Sequence, residues 1–222
     1  MRAYNFSAGP SQLPLEVLEE AQKELLDFAG TGMSVTEISH RNKKFEEIVN
    51  EGSALLRELL SIPDDYAVIF VQGGASQQFA AVPLNLMHKG KADYVVTGNF
   101  AKKAFQEGKI YGDAACVASS EDKTYTYIPD VNAIPFRDDT DYVHICANNT
   151  IFGTRYVEFP ETKAPLGADM SSEILYREID VKKFGVIYAG AQKNLAPAGV
   201  TLVIAKRELI QDPLPICPTM LK

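Results

Sequence analysis

From residue 66 onward the chain alternates between short apolar runs and longer stretches with helical spacing, and that alternation limits the fold more than any other feature. The runs "YAVIFV", "DYVVTG", "YVHICA", "FGVIYAG" and "VTLVIAK" are nearly continuous in apolar residues, as strands buried on both faces are. Between them, "QQFAAVPLNLM" and "FAKKAFQEGKIYG" repeat apolar residues at helical intervals. The order implies an α/β fold with a mostly parallel sheet covered by helices on both faces. Upstream, "PLEVLEEAQKELLDF" puts Leu15, Leu18, Ala21, Leu25 and Leu26 on one helical face, with Ser11 or Pro14 at its entry. A second helix through "NKKFEEIVNEGSALLRELLSI" carries an apolar stripe of Phe45, Ile48, Val49, Leu55, Leu56 and Leu59. The turn-rich "SSEDKTYTYIPDVNAIPFRDDTDY" crosses between strands, and no repeat or low-complexity segment interrupts the pattern.

Composition removes several function classes. Lys plus Arg number 22 against 29 Asp plus Glu, a formal charge of -7 with no basic block to track a phosphate backbone, so nucleic acid is not an expected partner. The longest apolar runs fall far short of the roughly 18 residues a membrane helix needs. The start, "MRAYNFSAGPS", lacks the apolar core of a signal peptide, and a cytoplasmic location is expected. Cys116, Cys146 and Cys217 are odd in number and have neither a C-x-x-C pair nor a histidine at ligand spacing. They read as small core residues, with no disulfide framework and no metal site.

In an open parallel sheet, ligands bind beyond the carboxyl ends of the strands. After "AVIFV" comes Gln72-Gly73-Gly74-Ala75-Ser76, a glycine turn into a helix whose first N–H groups suit a phosphate. After "YVHICA" stand Asn148, Asn149 and Thr150, which alone read as a polar strand exit. Asp169, before Met170-Ser171-Ser172, alone reads as a helix cap. Lys193, at the end of "VIYAGAQK", alone reads as a solvated charge. Together they differ: a lysine able to form a Schiff base, an acid 24 residues earlier for a pyridine nitrogen, and a Gly/Ser loop for a phosphate are what pyridoxal phosphate chemistry requires.

The stretches "YNFSAGPSQLP", "SVTEISHRNKKF", "VQGGASQQFAAVPLNL", "ADYVVTGNFAKKA", "GADMSSEIL" and "FGVIYAGAQKNLAPAGVT" carry a resemblance over nearly the whole chain. The chain resembles the phosphoserine aminotransferase family, in the class V group of fold-type-I pyridoxal-phosphate enzymes. The resemblance implies a large domain with a mixed, mostly parallel seven-stranded sheet flanked by helices, spanning residues 15–222 behind an N-terminal arm of residues 1–14. It implies pyridoxal 5'-phosphate as cofactor and Lys193 as the residue that binds it covalently and then moves the proton during transfer. Asp169 would hold the pyridine nitrogen protonated. Ala75, Ser76 and Gln192 would bind the phosphate, Phe100 would stack on the ring, and Thr150 would bond near the ring hydroxyl or the phosphate. Arg41, with His40 beside it, would clamp the acidic end of the substrate, since a guanidinium meets a carboxylate or phosphate with paired bonds. No metal is implied.

The implied reaction moves an amino group from L-glutamate to 3-phosphohydroxypyruvate, giving O-phospho-L-serine and 2-oxoglutarate, with a related step on the phosphorylated four-carbon acid of pyridoxine synthesis. The implied assembly is a homodimer with sites at the subunit interface. The sequence departs from the family in four places. Phe100 stands where a tryptophan is usual, and Ser76 where other members carry an arginine. "TKAPLGAD", with Pro165 and Gly167, makes a weak strand before Asp169. The chain also stops at "ICPTMLK", so that the resemblance implies a large domain incomplete at its C-terminal end, without the small C-terminal domain and its α-carboxylate arginine. Weak or absent turnover is expected of such a chain. Alternatives are another class V aminotransferase, such as an alanine-glyoxylate enzyme, a cysteine desulfurase, or a folded but incompetent fragment. A nucleotide-binding module lacks its glycine and lysine motifs.

Overall fold

A computed structural model describes residues 2–210 and 212–222. Seven strands form one sheet in the order β1-β7-β6-β5-β4-β2-β3. They are β1 (Tyr66–Val71), β2 (Lys91–Val96), β3 (Asp113–Ser119), β4 (Tyr142–Cys146), β5 (Leu166–Asp169), β6 (Val186–Gly190) and β7 (Thr201–Lys206). Strand β7 pairs antiparallel with both β1 and β6, whereas β2, β3, β4, β5 and β6 are joined by parallel pairings. The sheet is mixed and mostly parallel, as expected. Because β2, β4, β5 and β6 run the same way, their carboxyl ends lie along one edge, and the functional side chains collect there.

The described residues form four α-helices: α1 (Leu15–Glu24), α2 (Lys43–Leu60), α3 (Gly74–Leu86) and α4 (Asn99–Tyr111). One sheet face packs Val143, Ile145, Leu166, Ala168 and Ile187 against Leu56, Leu60, Met170, Ile174 and Phe184. The other packs Tyr94, Tyr142 and Tyr188 against Phe79, Val82 and Ala104 of α3 and α4. The turn-rich crossing from β3 to β4 is tied down by Arg137. Its guanidinium pairs with the fully buried Asp93 at 2.6 Å and with Asp113 at 2.7 Å, and donates to the Ala92 carbonyl at 2.9 Å. A buried carboxylate left without that partner would be strongly destabilising.

Several sequence expectations are corrected. The stripes of α1 and α2 form on helices but are mostly uncovered. No residue of α1 is buried, Leu25 and Leu26 lie beyond its end, and on α2 Ile48, Val49, Leu55 and Leu59 are exposed. The α2 residues that enter the core are Leu56 and Leu60. Strand β3 carries "DAACVAS", whose small residues give little β-branched or aromatic signal. Cys116 lies on it and is exposed rather than core, while Cys146 and Cys217 are buried. Strand β5 forms despite Pro165 and Gly167, with all four residues buried. Gly167 sits where a β-carbon would come within 3.3 Å of Val186 Cγ1 and 4.0 Å of His144 Cδ2. The glycine weakens the strand on its own but lets larger side chains of β4 and β6 close over that point.

Among the described residues, no helix is long and apolar enough to cross a membrane, and no group of three or more His, Cys, Asp or Glu is arranged to hold a metal.

Candidate active site

Strand β6 ends at Gly190, and the chain turns through Ala191-Gln192-Lys193. Ala191 closes this turn: its N–H donates to Val200 O at 3.0 Å, and its carbonyl accepts from Leu195 and Ala196. Lys193 therefore leaves a fixed turn, half-buried, rather than a free surface loop. Its Nζ lies 2.6 Å from Thr150 Oγ1 and 4.4 Å from the centre of the Phe100 ring. Burial lowers the lysine pKa against the opposing pull of Asp169 and Cys146. A lowered pKa makes the neutral, nucleophilic amine easier to reach.

Thr150 relays this contact inward. Having accepted from the lysine, its hydroxyl lies 2.9 Å from Ser172 Oγ, which donates to Asn148 Oδ1 at 3.1 Å. Asn148 in turn reaches Glu173 at 3.5 Å, and that carboxylate is held by Arg177 at 2.7 Å. The polar strand exit of β4 is thus the far wall of the lysine's surroundings, with Thr150 at its front.

Asp169 closes β5 on the neighbouring strand and is 8% exposed. It caps no helix, since the "DMSS" segment is a run of turns. Its Oδ1 accepts from the N–H of Ser171 at 3.0 Å and from that serine's hydroxyl at 2.7 Å. Ser171 Oγ also accepts from Gly190 N at 2.9 Å, so one serine fixes both the carboxylate and the last amide of β6. Asp169 Oδ2 takes no hydrogen bond among the described residues. Burial raises the carboxyl pKa, only partly offset by the Ser171 bonds and Lys193. A dry carboxylate with one free oxygen suits a cationic N–H donor, which would restore the ionised form.

Beneath Asp169 lies a buried aromatic layer. Tyr188 pairs with it in register, and the Tyr188 hydroxyl meets His144 Nε2 at 2.7 Å. Burial pushes the His144 pKa down to about 3, so that ring is neutral.

On the other side, α3 begins at Gly74, preceded by Gly73 at φ 91° and with no side-chain cap. Gly73 and Gly74 both adopt positive φ, and the Gln77 side chain occupies the space where a Gly73 β-carbon would go. The first N–H groups of α3, at Gly74, Ala75 and Ser76, have no acceptor within the helix. A β-carbon on Gly190 would lie 3.1 Å from Gln192 Oε1 and 3.4 Å from Ala75 N. The Gln192 amide and the Ala75 N–H therefore both lie close to Gly190, where a side chain would crowd them. Such free N–H groups at a helix start suit a phosphate.

The structure brings Lys193, Thr150, Phe100, Asp169, Gln192 and Ala75 to one edge of the sheet, with Ser76 beside Ala75 at the helix start. It does not bring Arg41 and His40 to them. Both are exposed in the turn before α2, where the Arg41 N–H donates to Ser39 Oγ. Among the described residues, no hydrogen bond of Lys193, Asp169 or Thr150 comes from that turn. Sequence reasoning missed the roles of Ser171 and Ser172. The signal was available, since an aspartate two residues before a serine offers its side chain to that residue's N–H.

Fold and site define an α/β protein with a half-buried lysine amine and a buried acid at the ends of the adjacent strands β6 and β5, and the start of α3 close to Gly190. The aminotransferase class-V family model matches residues 3–219, and the chain belongs to that family. A phosphoserine aminotransferase of Bacillus cereus is 58% identical over 99% of this chain and 62% of its own length. The solved phosphoserine aminotransferase of Bacillus circulans subsp. alkalophilus superposes with a TM-score of 0.95, at 49% identity over 99% of this chain and 62% of that one. The pyridoxal-phosphate-bound enzyme of Trichomonas vaginalis gives a TM-score of 0.89 at 38% identity, covering 99% of this chain and 66% of that one. The chain spans about three-fifths of the length of the curated relatives it matches.

Proposed function

We propose that this chain carries the cofactor-binding part of a pyridoxal-phosphate-dependent phosphoserine aminotransferase, which transfers the amino group of L-glutamate to 3-phosphohydroxypyruvate. The observation that carries the reading is the half-buried Lys193 amine, 4.4 Å from the Phe100 ring and bonded to Thr150, with buried Asp169 on the next strand end. The names of relatives at 49–58% identity support the substrate pair. Bound pyridoxal phosphate supplies an electron sink for the carbanion left when an amino acid loses its α-proton.

The chain's own residues do the rest. Lys193 would hold the cofactor covalently, and its lowered pKa suits its amine to take and return a substrate α-proton. Thr150 holds that amine on one side when it is not reacting. Asp169 Oδ2 would hold the cofactor's ring nitrogen protonated, while Ser171 locks Oδ1. Ala75, Ser76 and Gln192 would hold the phosphate, and Phe100 would pack on the ring. Arg41 and His40 bind the acidic end of a substrate. Because they stand apart from the Lys193 cluster, we assign them to a site completed by a second copy of the chain in a homodimer. We divide the chain into an arm, residues 1–14, and a cofactor-binding body, residues 15–222.

The test is absorbance and turnover together. The protein mixed with pyridoxal phosphate gains a visible band that Lys193→Ala lacks, and turns over glutamate with phosphohydroxypyruvate faster than alanine with glyoxylate. No band in the unsubstituted protein would remove the cofactor assignment, and equal rates with both pairs would remove the substrate assignment.

A further inference from the structure

The N-terminal segment runs against the catalytic turn from about 180 positions away in sequence. Ser11 Oγ donates to Lys193 O at 2.5 Å and lies 3.4 Å from Gln192 O, and the Ser11 N–H donates to the same Gln192 carbonyl at 3.3 Å. One serine thus holds two consecutive carbonyls, those of the phosphate-side glutamine and of the lysine itself. Two positions earlier, a β-carbon on Gly9 would lie 3.0 Å from Lys193 Cγ and 3.2 Å from Gln192 O. The Gly9 backbone is therefore laid directly on the aliphatic stem of the lysine.

A general tethering role for the segment would leave bonds spread along it. The other hydrogen bonds of residues 2–14 are local: Arg2 to the Leu13 carbonyl, the Asn5 N–H to Gln12, and the Ser7 N–H to Asn5. Among the described residues, the bonds from this segment to the rest of the molecule are those of Ser11, and both acceptors belong to the catalytic turn. We infer that Gly9 and Ser11 form a strap that positions Lys193: Ser11 fixes the backbone from which the side chain leaves, and Gly9 limits where its stem can lie.

This rests on the reading of Lys193 as the cofactor lysine. Its physical basis is that a reacting amine misplaced by about 1 Å loses about a hundredfold in rate. Ser11 and Gly9 act through Lys193 and are positioning residues. The strap also bears on access, since residues 9 and 10 are themselves exposed while the lysine they lie on is half-buried. Loosening the strap would change the amine's solvation as well as its aim.

The experiment uses the full chain with pyridoxal phosphate and follows the visible band by stopped flow across a pH series, beside the melting temperature of the cofactor-free protein. Ser11→Ala is expected to slow band formation about five- to tenfold and to move the pH midpoint of the band, with the melting temperature unchanged. Ser11→Thr, which keeps the hydroxyl, is expected to restore both. Gly9→Ala, which places a methyl on the lysine stem, is expected to have the larger effect. Parent-like rates and pH midpoints in both Ser11→Ala and Gly9→Ala would overturn the strap's role. So would a loss in Ser11→Ala that follows a fall in melting temperature and is not rescued by threonine. If the parent chain itself forms no band, the cofactor reading fails, and the strap's role fails with it.

Discussion

The carboxyl edge of the sheet and the outer faces of α1 and α2 treat their side chains in opposite ways. At the sheet edge, polar groups are buried or half-buried and paired: Asp169 with Ser171, Ser171 with Gly190, Thr150 with Lys193 and Ser172. On α1 and α2, apolar groups stand exposed, with Val17 48% and Leu59 62% accessible. Desolvated polar groups at the edge are what chemistry needs, since charge acts strongly where water is excluded. Uncovered leucines on a helix are what association needs. The first region gathers Lys193, Thr150 and Asp169 by direct and shared hydrogen bonds, and the second leaves its apolar side chains uncovered.

The largest effect expected is at Asp169. On the proposed reading, Asp169→Asn should lower turnover by about a hundredfold or more, because a neutral amide would not hold a ring nitrogen protonated. Its effect on stability should have the opposite sign. Burial raises the carboxyl pKa above the ordinary 3.8, so the neutral acid is favoured in the folded cofactor-free chain. The stability it contributes is complete below that value and is lost as pH rises through the folded pKa. At neutral pH the cofactor-free asparagine variant should therefore melt higher, by about 2–4 °C if the gain is on the order of 1 kcal/mol. A lower melting temperature would mean the carboxylate is not strained by burial.

Leu56→Ala and Leu59→Ala compare the buried and exposed faces of one helix. Leu56 is 6% exposed, and its truncation should cost about 2–5 kcal/mol in denaturant unfolding. Leu59→Ala should fall within about 0.5 kcal/mol when measured on the chain without a partner. Equal costs would mean α2 is covered on both faces.

Tyr188→Phe leaves His144 Nε2 without its partner and should cost about 1–3 kcal/mol. His144 itself should give an acid-sensitive contribution. Its pKa falls from 6.5 to about 3 on folding, so its stabilisation is present above 6.5 and lost as pH falls toward 3. His144→Asn should flatten that part of the stability curve, and an unchanged slope would place the acid sensitivity elsewhere.

The same contrast explains what could be read from sequence. Apolar runs showed most central strands because parallel strands buried on both faces have few polar interruptions. The glycine turn at Gly73-Gly74 was legible because positive φ there needs glycine. Strand β3 was not, because "DAACVAS" has little that distinguishes an edge strand from a loop. Apolar spacing gave the helices α1 and α2 but not what covers them, since a stripe at 3.6-residue spacing looks alike whether it meets the core or another surface. Lys193 and Asp169 were legible by position at strand ends. The grip of Ser11 on Lys193 was not, because no local pattern marks a contact across 182 positions.

The most direct test of the central claim is to incubate the chain with pyridoxal phosphate, reduce it with borohydride, digest it and weigh the peptides. The account predicts one stoichiometric label, on Lys193, despite the many more exposed lysines on the surface. A label spread over several surface lysines, or none on the peptide containing Lys193, would contradict it.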